Sequence, residues 1–436
     1  MKKKTRSVNY ATPDRSTHKV KWLKFLLIPG ALVFCAFLFF RPPPTEEVVK
    51  EEKVKSQLDH RVDISKIIGE SIRANKFIDT SDMQWDGKNV KGKFNLTIDK
   101  NMQKEAEKLL KQYKPDYAAI FMMDATTGRV LAMTSFQKDD PNASNWNLKS
   151  NFPAASVFKV ITATAAVDKA GISPQHKINF NGGNYTLYRK NVMSDKVNKW
   201  TRAITLKDAF ARSINTAFGR LSLETLHPID INDYASRFMF NQEIPSDFPV
   251  EMGVAYIPPE RGFELTEVAS GYNKTSRMSP VQGAMIAAAV ANKGKMMVPY
   301  IVDSINDDQG NLVYKAESLD NGQIMTAESA EKVRELMEGT VTSGTSRKSF
   351  RSLVKNKKFK TIQMGGKTGH LTAENPRGRV DWFVGYAMDD TTKIAIAAVS
   401  INKEKWTVKS AELGQNMFKR YFGPIIQERI ISSQSN

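Results

Sequence analysis

Apolar stretches with the character of β-strands lie towards both ends of the chain. Residues 117–124 and 129–135 are two apolar runs joined by Ala-Thr-Thr-Gly, which predicts a β-hairpin. Further strands are predicted over residues 363–372, 382–388 and 393–400, and Asp-Asp-Thr-Thr joins the last two. Together these segments predict an α+β fold, in which one antiparallel five-stranded sheet is built from distant parts of the chain and flanked by helices.

Helical patterns fill the long middle of the chain. An alanine-rich, mostly apolar run predicts a buried helix over residues 160–170. Apolar residues at helical spacing predict further helices over residues 100–113, 279–293 and 327–340, and a last helix over 410–421. We expect these helices to cover the sheet.

The most apolar segment, residues 22–40, lies near the N-terminus. A helix of this length spans roughly 28 Å, close to the hydrocarbon thickness of a bilayer. Residues 1–41 carry nine Lys and Arg against one acid, and four Glu follow at 46, 47, 51 and 52. The positive-inside rule therefore predicts a single-pass anchor in the cytoplasmic (inner) membrane, with the remaining chain on the periplasmic side. The alternative is a cleaved signal peptide, but no A-x-A-like cleavage site follows the apolar run.

Composition excludes several kinds of chemistry. The chain has 436 residues and a single cysteine, Cys35, so an intrachain disulfide, a cysteine-based zinc site and cysteine catalysis are not expected. Its five histidines show no paired spacing, and we expect neither a metal nor another cofactor. The net charge is +18, of which residues 1–41 carry +8 (9 − 1) and the remaining residues +10 (18 − 8). The larger part of the chain is therefore only mildly basic, so nucleic-acid binding is not demanded; a basic surface also suits anionic cell-wall polymers.

The first candidate for catalysis is the pair Ser156 and Lys159. Pro153 precedes them, and Gly171 follows the helix predicted after them. Residues three apart share a helix face, which places the hydroxyl beside the amine. Burial near other cations lowers a lysine pKa until the neutral amine can act as a base. An isolated Ser-x-x-Lys is a weak signal, because a capping serine and a solvated lysine give the same pattern.

Two later motifs strengthen the first. Ser213-Ile214-Asn215 interrupts a helical pattern over residues 206–223, although a polar break in a helix would look the same. Lys367-Thr368-Gly369 follows two glycines on a predicted strand. A phosphate-binding loop is rejected there, because position 361 is Thr rather than the required Gly and a strand continues where a helix should begin.

Taken in order, these three motifs resemble those of the transpeptidase domain of the penicillin-binding proteins, and more distantly those of serine β-lactamases. The resemblance covers about residues 93–425. Further similar stretches are Leu96-Thr97-Ile98-Asp99, residues 123–133, Met278-Ser279-Pro280-Val281-Gln282, residues 291–294, Ser343-Gly344-Thr345 and Asp381-Trp382-Phe383-Val384-Gly385-Tyr386. The predicted organisation is a cytoplasmic tail (1–21), an anchor (22–40), a linker or stalk (41–92), the transpeptidase domain (93–425) and a C-terminal tail (426–436).

The resemblance implies a role for each catalytic residue. Ser156 would attack the carbonyl between the two terminal D-alanines of a peptidoglycan stem peptide. Lys159, kept neutral by the charge of Lys367, would take the proton of the serine. Ser213 would relay that proton to the leaving amine.

The remaining motif residues are expected to bind the substrate. Asn215 would hold the substrate amide and Lys159, and Lys367 with Thr368 would meet the terminal carboxylate. Gly369 completes this motif, and the backbone N–H of His370 would join that of Ser156 in stabilising the oxyanion. His370 stands where the family usually has Thr or Ser. Two interpretations stay open: the imidazole binds the substrate carboxylate, or only the backbone matters and the ring points to solvent.

The resemblance therefore predicts a membrane-anchored D,D-transpeptidase that cross-links stem peptides through an acyl-serine and binds penicillin covalently. Alternatives are a D,D-carboxypeptidase or endopeptidase, a serine β-lactamase, and a non-catalytic cell-wall scaffold or sensor. Expected partners are peptidoglycan stem peptides, β-lactam antibiotics, the cell membrane, and a separate glycosyltransferase with other cell-wall proteins.

Overall fold

The structure of the protein is a computed structural model that describes residues 46–434, with side chains from residue 50 onward. One compact unit begins at Val54 and contains the rest of the described chain. The predicted anchor, residues 22–40, lies outside the described residues. Within residues 46–434, no helix combines the length and the apolar character that crossing a bilayer requires.

The helices and strands are numbered in chain order. The strands are β1 (Thr80–Trp85), β2 (Lys88–Leu96), β3 (Tyr117–Asp124), β4 (Val130–Gln137), β5 (Phe152–Pro153), β6 (Lys177–Phe180), β7 (Arg202–Thr205), β8 (Arg277–Met278), β9 (Lys295–Met297), β10 (Val302–Asn306), β11 (Leu312–Lys315), β12 (Asp320–Gln323), β13 (Gln363–Glu374), β14 (Arg377–Met388) and β15 (Lys393–Asn402). The α-helices are α1 (Glu46–Arg73), α2 (Lys100–Tyr113), α3 (Lys159–Thr164), α4 (Arg189–Val192), α5 (Leu206–Ala211), α6 (Asn215–Thr225), α7 (Pro228–Arg237), α8 (Phe263–Ser270), α9 (Pro280–Ala291), α10 (Ala327–Thr342), α11 (Arg347–Val354) and α12 (Ser410–Gln434).

A five-stranded antiparallel sheet with the order β13-β14-β15-β3-β4 forms the centre of the unit. Alternate residues of β3 enter two different cores: Ala119 and Phe121 face one core, and Ile120 and Met122 face the other. This alternation has the period of two that a strand imposes, and burial on both faces explains why the strand reads as a continuous apolar run. The predicted α+β fold with a five-stranded antiparallel sheet is confirmed.

Helices cover both faces of this sheet. Helix α9 packs against β3, β14 and β15, with its side chains in the first core. Helices α2 and α12 pack on the second core. Helix α2 has the predicted bounds and is capped by the Asp99 carboxylate, which accepts two backbone N–H groups at its start. Helix α12 runs beyond the predicted end at 421, because Ile426 is buried and Arg429 pairs with Asp389 at 2.7 Å.

The segment before residue 93 is part of the same compact unit from Val54 onward. In α1, Ile64, Ile68 and Ile72 recur every four residues and are buried in the first core. Strand β2 crosses residue 93 and pairs with β10, so that a second, four-stranded sheet has the order β1-β2-β10-β11. The sequence pattern predicts a linker or stalk here, since a local pattern cannot reveal pairing with a strand about 200 residues away.

Candidate active site

Ser156 lies in a 3₁₀ turn, Ala155–Phe158, that leads directly into α3. The Nζ atom of Lys159, the first residue of α3, lies 2.9 Å from Ser156 Oγ. Ser156 is partly exposed, whereas Lys159 is fully buried. The two side chains share a face as their spacing predicts, with the hydroxyl turned towards solvent and the amine behind it.

The groups that are hydrogen-bonded to the Lys159 amine are neutral. Asn215 Oδ1 accepts a hydrogen bond from Nζ at 2.6 Å, and the carbonyl of Ser270 accepts a second, short one. The Phe218 ring centroid lies 5.5 Å from Nζ. Burial, together with the nearby charge of Lys367, holds the pKa of Lys159 well below its usual value. The amine can therefore be neutral near physiological pH, which is the state a general base requires.

Lys367 occupies the opposite wall of the site on strand β13. Its Nζ donates to Ser213 Oγ at 2.9 Å and to the carbonyl of Thr368 at 3.0 Å. Burial lowers the pKa of Lys367 to about 7. The two lysines therefore have different surroundings: Lys159 contacts the nucleophile hydroxyl, and Lys367 contacts the hydroxyl of Ser213.

The Ser213 motif lies in a break between α5 and α6. Ser213 has a positive φ of 55°, a backbone conformation that is unusual for residues other than glycine. This conformation separates α5 from α6. The break turns the Ser213 hydroxyl towards Lys367 and starts α6 at Asn215, whose amide oxygen meets Lys159. The Asn215 amide nitrogen donates to the carbonyl of Tyr185 at 2.6 Å, which fixes the orientation of the amide.

Strand β13 lies at the edge of the five-stranded sheet and packs against the serine turn. A Cβ at Gly369 would lie 3.3 Å from the carbonyl oxygen of Ala154 and from side-chain atoms of Ala155 and Val157. Glycine therefore permits the close approach of the strand to the turn that carries Ser156. The hydroxyl oxygens of Thr368 and Thr345 lie 2.6 Å apart, which joins the Lys-Thr-Gly strand to the loop after α10.

The His370 side chain points towards the neighbouring strand, β14. Its Nε2 makes a short contact with the carboxylate of Asp381, which lies directly opposite on β14. Asp381 is buried, accepts the backbone N–H of Ser410 at 2.6 Å and lies 3.9 Å from Lys409 Nζ. The His370 side chain is 47% exposed. The imidazole therefore has a carboxylate partner from the protein itself.

The fold brings most of the residues predicted from the sequence together in two hydrogen-bonded groups. Lys159 is hydrogen-bonded to both Ser156 and Asn215, and Lys367 is hydrogen-bonded to Ser213. Among the described residues, Ser213 has no hydrogen bond to Lys159 or Ser156. Thr368 and Gly369 complete the strand, and the His370 ring faces Asp381.

Several groups at the site were not predicted. The carbonyl of Ser270 and the hydroxyl of Thr345 had no assigned role, although Thr345 lies in a stretch noted for its resemblance. A main-chain carbonyl carries no residue-type signal, and it becomes recognisable only once the chain is folded. Asp381 also belonged to a noted stretch, but only strand register reveals its pairing with His370. Among the described residues, no three His, Cys, Asp or Glu side chains are clustered to hold a metal ion.

Comparison with known families gives one match over most of the chain. The model of the penicillin binding protein transpeptidase domain matches residues 118–422. Stage V sporulation protein D of Bacillus subtilis is 24% identical over 340 residues, covering 72% of this chain and 50% of that protein. A peptidoglycan D,D-transpeptidase, PbpA, of Mycobacterium tuberculosis is 24% identical over 352 residues, covering 71% of this chain and 67% of PbpA. The chain thus matches between half and two thirds of the length of these relatives.

Solved structures share the fold. The D,D-transpeptidase domain of a peptidoglycan glycosyltransferase from Eggerthella lenta aligns with a TM-score of 0.62 and 24% identity, covering 76% of this chain and 83% of that one. Penicillin-binding protein A of M. tuberculosis, solved as a ceftriaxone acyl-enzyme complex, aligns with a TM-score of 0.63 and 21% identity, covering 76% of this chain and 80% of that one.

Proposed function

The chain belongs to the penicillin-binding protein transpeptidase family, and from that premise we propose that it is a peptidoglycan D,D-transpeptidase. Its substrates would be stem peptides ending in D-Ala-D-Ala, which it cross-links through an acyl-enzyme on Ser156. β-Lactams would acylate the same serine. The observation that carries this proposal is the buried Lys159 amine, which lies 2.9 Å from Ser156 Oγ and whose pKa is lowered by burial and by the nearby Lys367.

Acylation would proceed in balanced steps. Ser156 Oγ bonds to the penultimate D-alanine carbonyl carbon while the neutral Lys159 amine takes the hydroxyl proton. The oxyanion that forms is stabilised by backbone N–H groups of Ser156 and His370. The peptide C–N bond then breaks, and the leaving D-alanine amine takes the proton that Lys159 had accepted. Ser213, which is hydrogen-bonded to Lys367, would relay that proton to the amine.

Substrate orientation would come from the opposite wall. The terminal carboxylate of the stem peptide is expected to meet the Lys367 cation and the Thr368 hydroxyl. The contact between Lys367 Nζ and Ser213 Oγ then couples carboxylate binding to the proton relay. The Asn215 amide accepts a hydrogen bond from Lys159 and donates one to the carbonyl of Tyr185. Its remaining hydrogen-bonding capacity would hold the substrate amide.

The fate of the acyl-enzyme separates the enzymatic alternatives. Attack by the amine of a second stem peptide gives a cross-link, whereas attack by water gives a trimmed peptide. A serine β-lactamase would hydrolyse the penicilloyl ester rapidly, and a scaffold would not form it at all. In the described part of the chain, the hydrogen bonds of Ser156 and Lys159 involve hydroxyl, amide and carbonyl groups and no carboxylate.

We also propose that residues 22–40 anchor the chain in the cytoplasmic membrane and that residues 1–21 stay in the cytoplasm. The transpeptidase domain, residues 93–425, would then work on the periplasmic side, with residues 41–92 leading to it and residues 426–436 following it. The charge asymmetry across the apolar segment supports this orientation. A separate glycosyltransferase and other cell-wall proteins are the expected partners.

The proposed activity is tested with the full chain in detergent. It is incubated with a stem pentapeptide and an acceptor amine, and the products are identified by mass spectrometry. We expect loss of one D-alanine together with a new amide to the acceptor. Trimmed peptide without a cross-link would indicate a carboxypeptidase, and unchanged peptide with no acyl-enzyme would refute the enzymatic proposal.

A further inference from the structure

A cavity beside the proposed carboxylate site has no assigned role. Tyr185, Arg212 and Arg347 line it together with residues 342–345. Thr345 belongs to its wall, and the Thr345 hydroxyl contacts that of Thr368 at 2.6 Å. Arg212 directly precedes Ser213, which is bonded to Lys367. The cavity therefore continues the groove past the position proposed for the terminal carboxylate.

Two arginines give this cavity its charge. Arg212 and Arg347 are exposed, and among the described residues neither guanidinium has an ion pair or a side-chain hydrogen bond. Arg220, by contrast, is neutralised by Asp195 at 2.7 Å and by Glu224. A guanidinium offers several N–H donors that match a carboxylate, so two unpaired ones in a single cavity suit an anionic ligand.

The surroundings add to the positive potential. No Asp or Glu occurs between residues 347 and 360, which form α11 and the turn after it. Within this segment, Arg351 and Lys355 line an adjoining cavity that shares Thr342 and Arg347 with the first one, whereas Lys357 and Lys358 lie at a different cavity beside Asp389 and Asp390. Arg351 and Lys355 therefore add to the positive potential next to Arg347.

The second step of the proposed reaction indicates which ligand would bind in this cavity. In the second step the acceptor amine must occupy the place from which the leaving D-alanine amine departed, since both react at the same carbonyl carbon. The acceptor therefore extends from Ser156 past Lys367 and Thr368 and towards this cavity. A neutral group at this end of the acceptor would form no ion pair with Arg212 or Arg347, whereas a carboxylate would pair with them.

We propose that the cavity is an acceptor subsite, in which Arg212 and Arg347 bind a second carboxylate of the stem peptide that supplies the attacking amine. This inference rests on the proposed transpeptidase function. In the step it serves, the acceptor nitrogen bonds to the ester carbonyl carbon, the bond from that carbon to Ser156 Oγ breaks, and the oxygen regains a proton that the amine has lost.

The test measures how a preformed acyl-enzyme divides between acceptors. A depsipeptide donor ending in D-lactate acylates the full chain, and its leaving group cannot act as an amine. Two matched acceptor pairs are offered: D-glutamate against D-glutamine, and D-2-aminoadipate against its side-chain amide. Within each pair only one charge differs, while the α-carboxylate stays available to Lys367 and Thr368. Products are counted per acyl-enzyme, so the ratio does not depend on the acylation rate.

We expect the acidic acceptor of at least one pair to be preferred by about tenfold, the effect of one charge-assisted contact. The ratio of products from the acidic and the amide acceptor should fall to about one in an Arg212→Gln/Arg347→Gln variant. Part of the preference should remain in Arg347→Lys, which retains the charge. Lys348→Gln, which removes an exposed cation from the same helix outside the cavity, is the matched control and should keep the preference.

The two proposals fail in different ways. A wild-type acyl-enzyme that shows no acidic preference, or a preference that survives in the double variant with an unchanged unfolding temperature, overturns the acceptor subsite alone. Loss of the preference in Lys348→Gln as well would assign it to the general positive field and also overturn the subsite. If the donor forms no acyl-enzyme, the proposed function itself fails.

Discussion

At the scale of single residues, the site depends on two buried lysines with unlike neighbours. Burial disfavours the charged form of both, and the proximity of Lys367 lowers the pKa of Lys159 further. Lys159 contacts the hydroxyl that must lose a proton, and Lys367 contacts Ser213 on the carboxylate side. The same residue type is thereby suited to two tasks, one as a base and one as a cation.

Replacing the proposed nucleophile gives the most direct prediction. Ser156→Ala should abolish covalent labelling by a fluorescent penicillin, because no other hydroxyl contacts Lys159 in the described residues. Labelling is read after denaturing electrophoresis, and peptide mass spectrometry locates the adduct in the wild type. Ser81→Ala, in the four-stranded sheet, is the control and should label normally. Undiminished labelling of Ser156→Ala would refute the assignment of the nucleophile.

Removing either lysine should slow acylation for different reasons. Lys159→Ala removes the proposed base, a loss of typically 10²–10⁴-fold. Lys367→Ala removes the proposed carboxylate anchor and the neighbouring charge that, after burial, lowers the pKa of Lys159. The rate constant for acylation by penicillin measures both effects, and circular dichroism checks that each variant folds. A variant that acylates at the wild-type rate would disprove the role given to that lysine.

The pH dependence of acylation should be bell-shaped. In the proposed mechanism, acylation needs Lys159 neutral and Lys367 charged. As pH falls, Lys159 gains a proton and the rate drops; as pH rises through about 7, Lys367 loses its proton and the rate drops again. In Lys367→Arg the guanidinium stays charged, so the decline on the alkaline side should move to much higher pH. The measurement is the second-order acylation rate constant across the pH range, and identical alkaline limbs in the two proteins would contradict it.

At the scale of elements, the site is assembled where the ends of several segments meet. The serine turn before α3, the break between α5 and α6, the C-terminus of α8 and the edge strand β13 each supply one part. Gly271 ends α8 with a φ of 66°, and a Cβ there would lie 1.9 Å from the carbonyl oxygen of Ala155. Its neighbour Ser270 supplies the carbonyl that meets Lys159. The contact between α8 and the serine turn therefore sets the position of Ser156.

Gly271→Ala should disturb catalysis as well as stability. The added methyl group must push away the turn that carries Ser156, so we expect acylation to fall by more than about tenfold, because small misplacements of reacting groups are costly. Gly171→Ala is the matched control: its φ is 67°, but nothing lies within 4 Å of the added Cβ. That variant should lose about 1 kcal/mol of stability from backbone strain and acylate normally.

Acylation rates and unfolding temperatures of the two glycine variants check this prediction. Equal acylation by Gly271→Ala and Gly171→Ala would show that the contact between Gly271 and Ala155 does not position the serine.

At the scale of the whole molecule, the described chain is organised around one sheet between two cores, and the proposed anchor precedes it. Segments 54–96 and 302–315 form a second sheet and a helix that belong to the same compact unit. The first core contains residues from α1 through β15, so it is contributed by almost the whole described length. Substitutions in α1 therefore affect a core that also contains Val157 and Phe158, the neighbours of Ser156.

The proposed membrane orientation predicts a protection pattern. Protease added to spheroplasts should digest the catalytic domain, because we place it outside the cytoplasmic membrane. The first 20 or so residues should survive, on the positive-inside orientation of the apolar segment. An epitope tag at each terminus, followed by immunoblotting, distinguishes the ends, and a cytoplasmic protein serves as the control for intact membranes. Protection of both tags would refute the orientation.

The sequence by itself predicted the elements of the sheet and the identity of the motifs. The two hairpins were predictable because their apolar runs and turn residues are local signals. All five strands occur in the predicted regions, although β14 begins at Arg377 rather than at residue 382. The spacing of Ser156 and Lys159 predicted their contact because both lie in a single turn of chain. The order of the three motifs carried the resemblance to the family, which the match over residues 118–422 confirms.

Only the tertiary structure decided how distant segments meet. Strand register placed Asp381 opposite His370, so the imidazole faces a carboxylate of the protein, an orientation that neither interpretation of the sequence had considered. The Ser270 carbonyl and the closeness of Gly271 to Ala155 arise from main-chain positions, which residue types do not encode. Pairing of β2 with β10 incorporated the expected stalk into the compact unit. Local patterns specify elements, whereas contacts between residues far apart in sequence depend on how those elements pack.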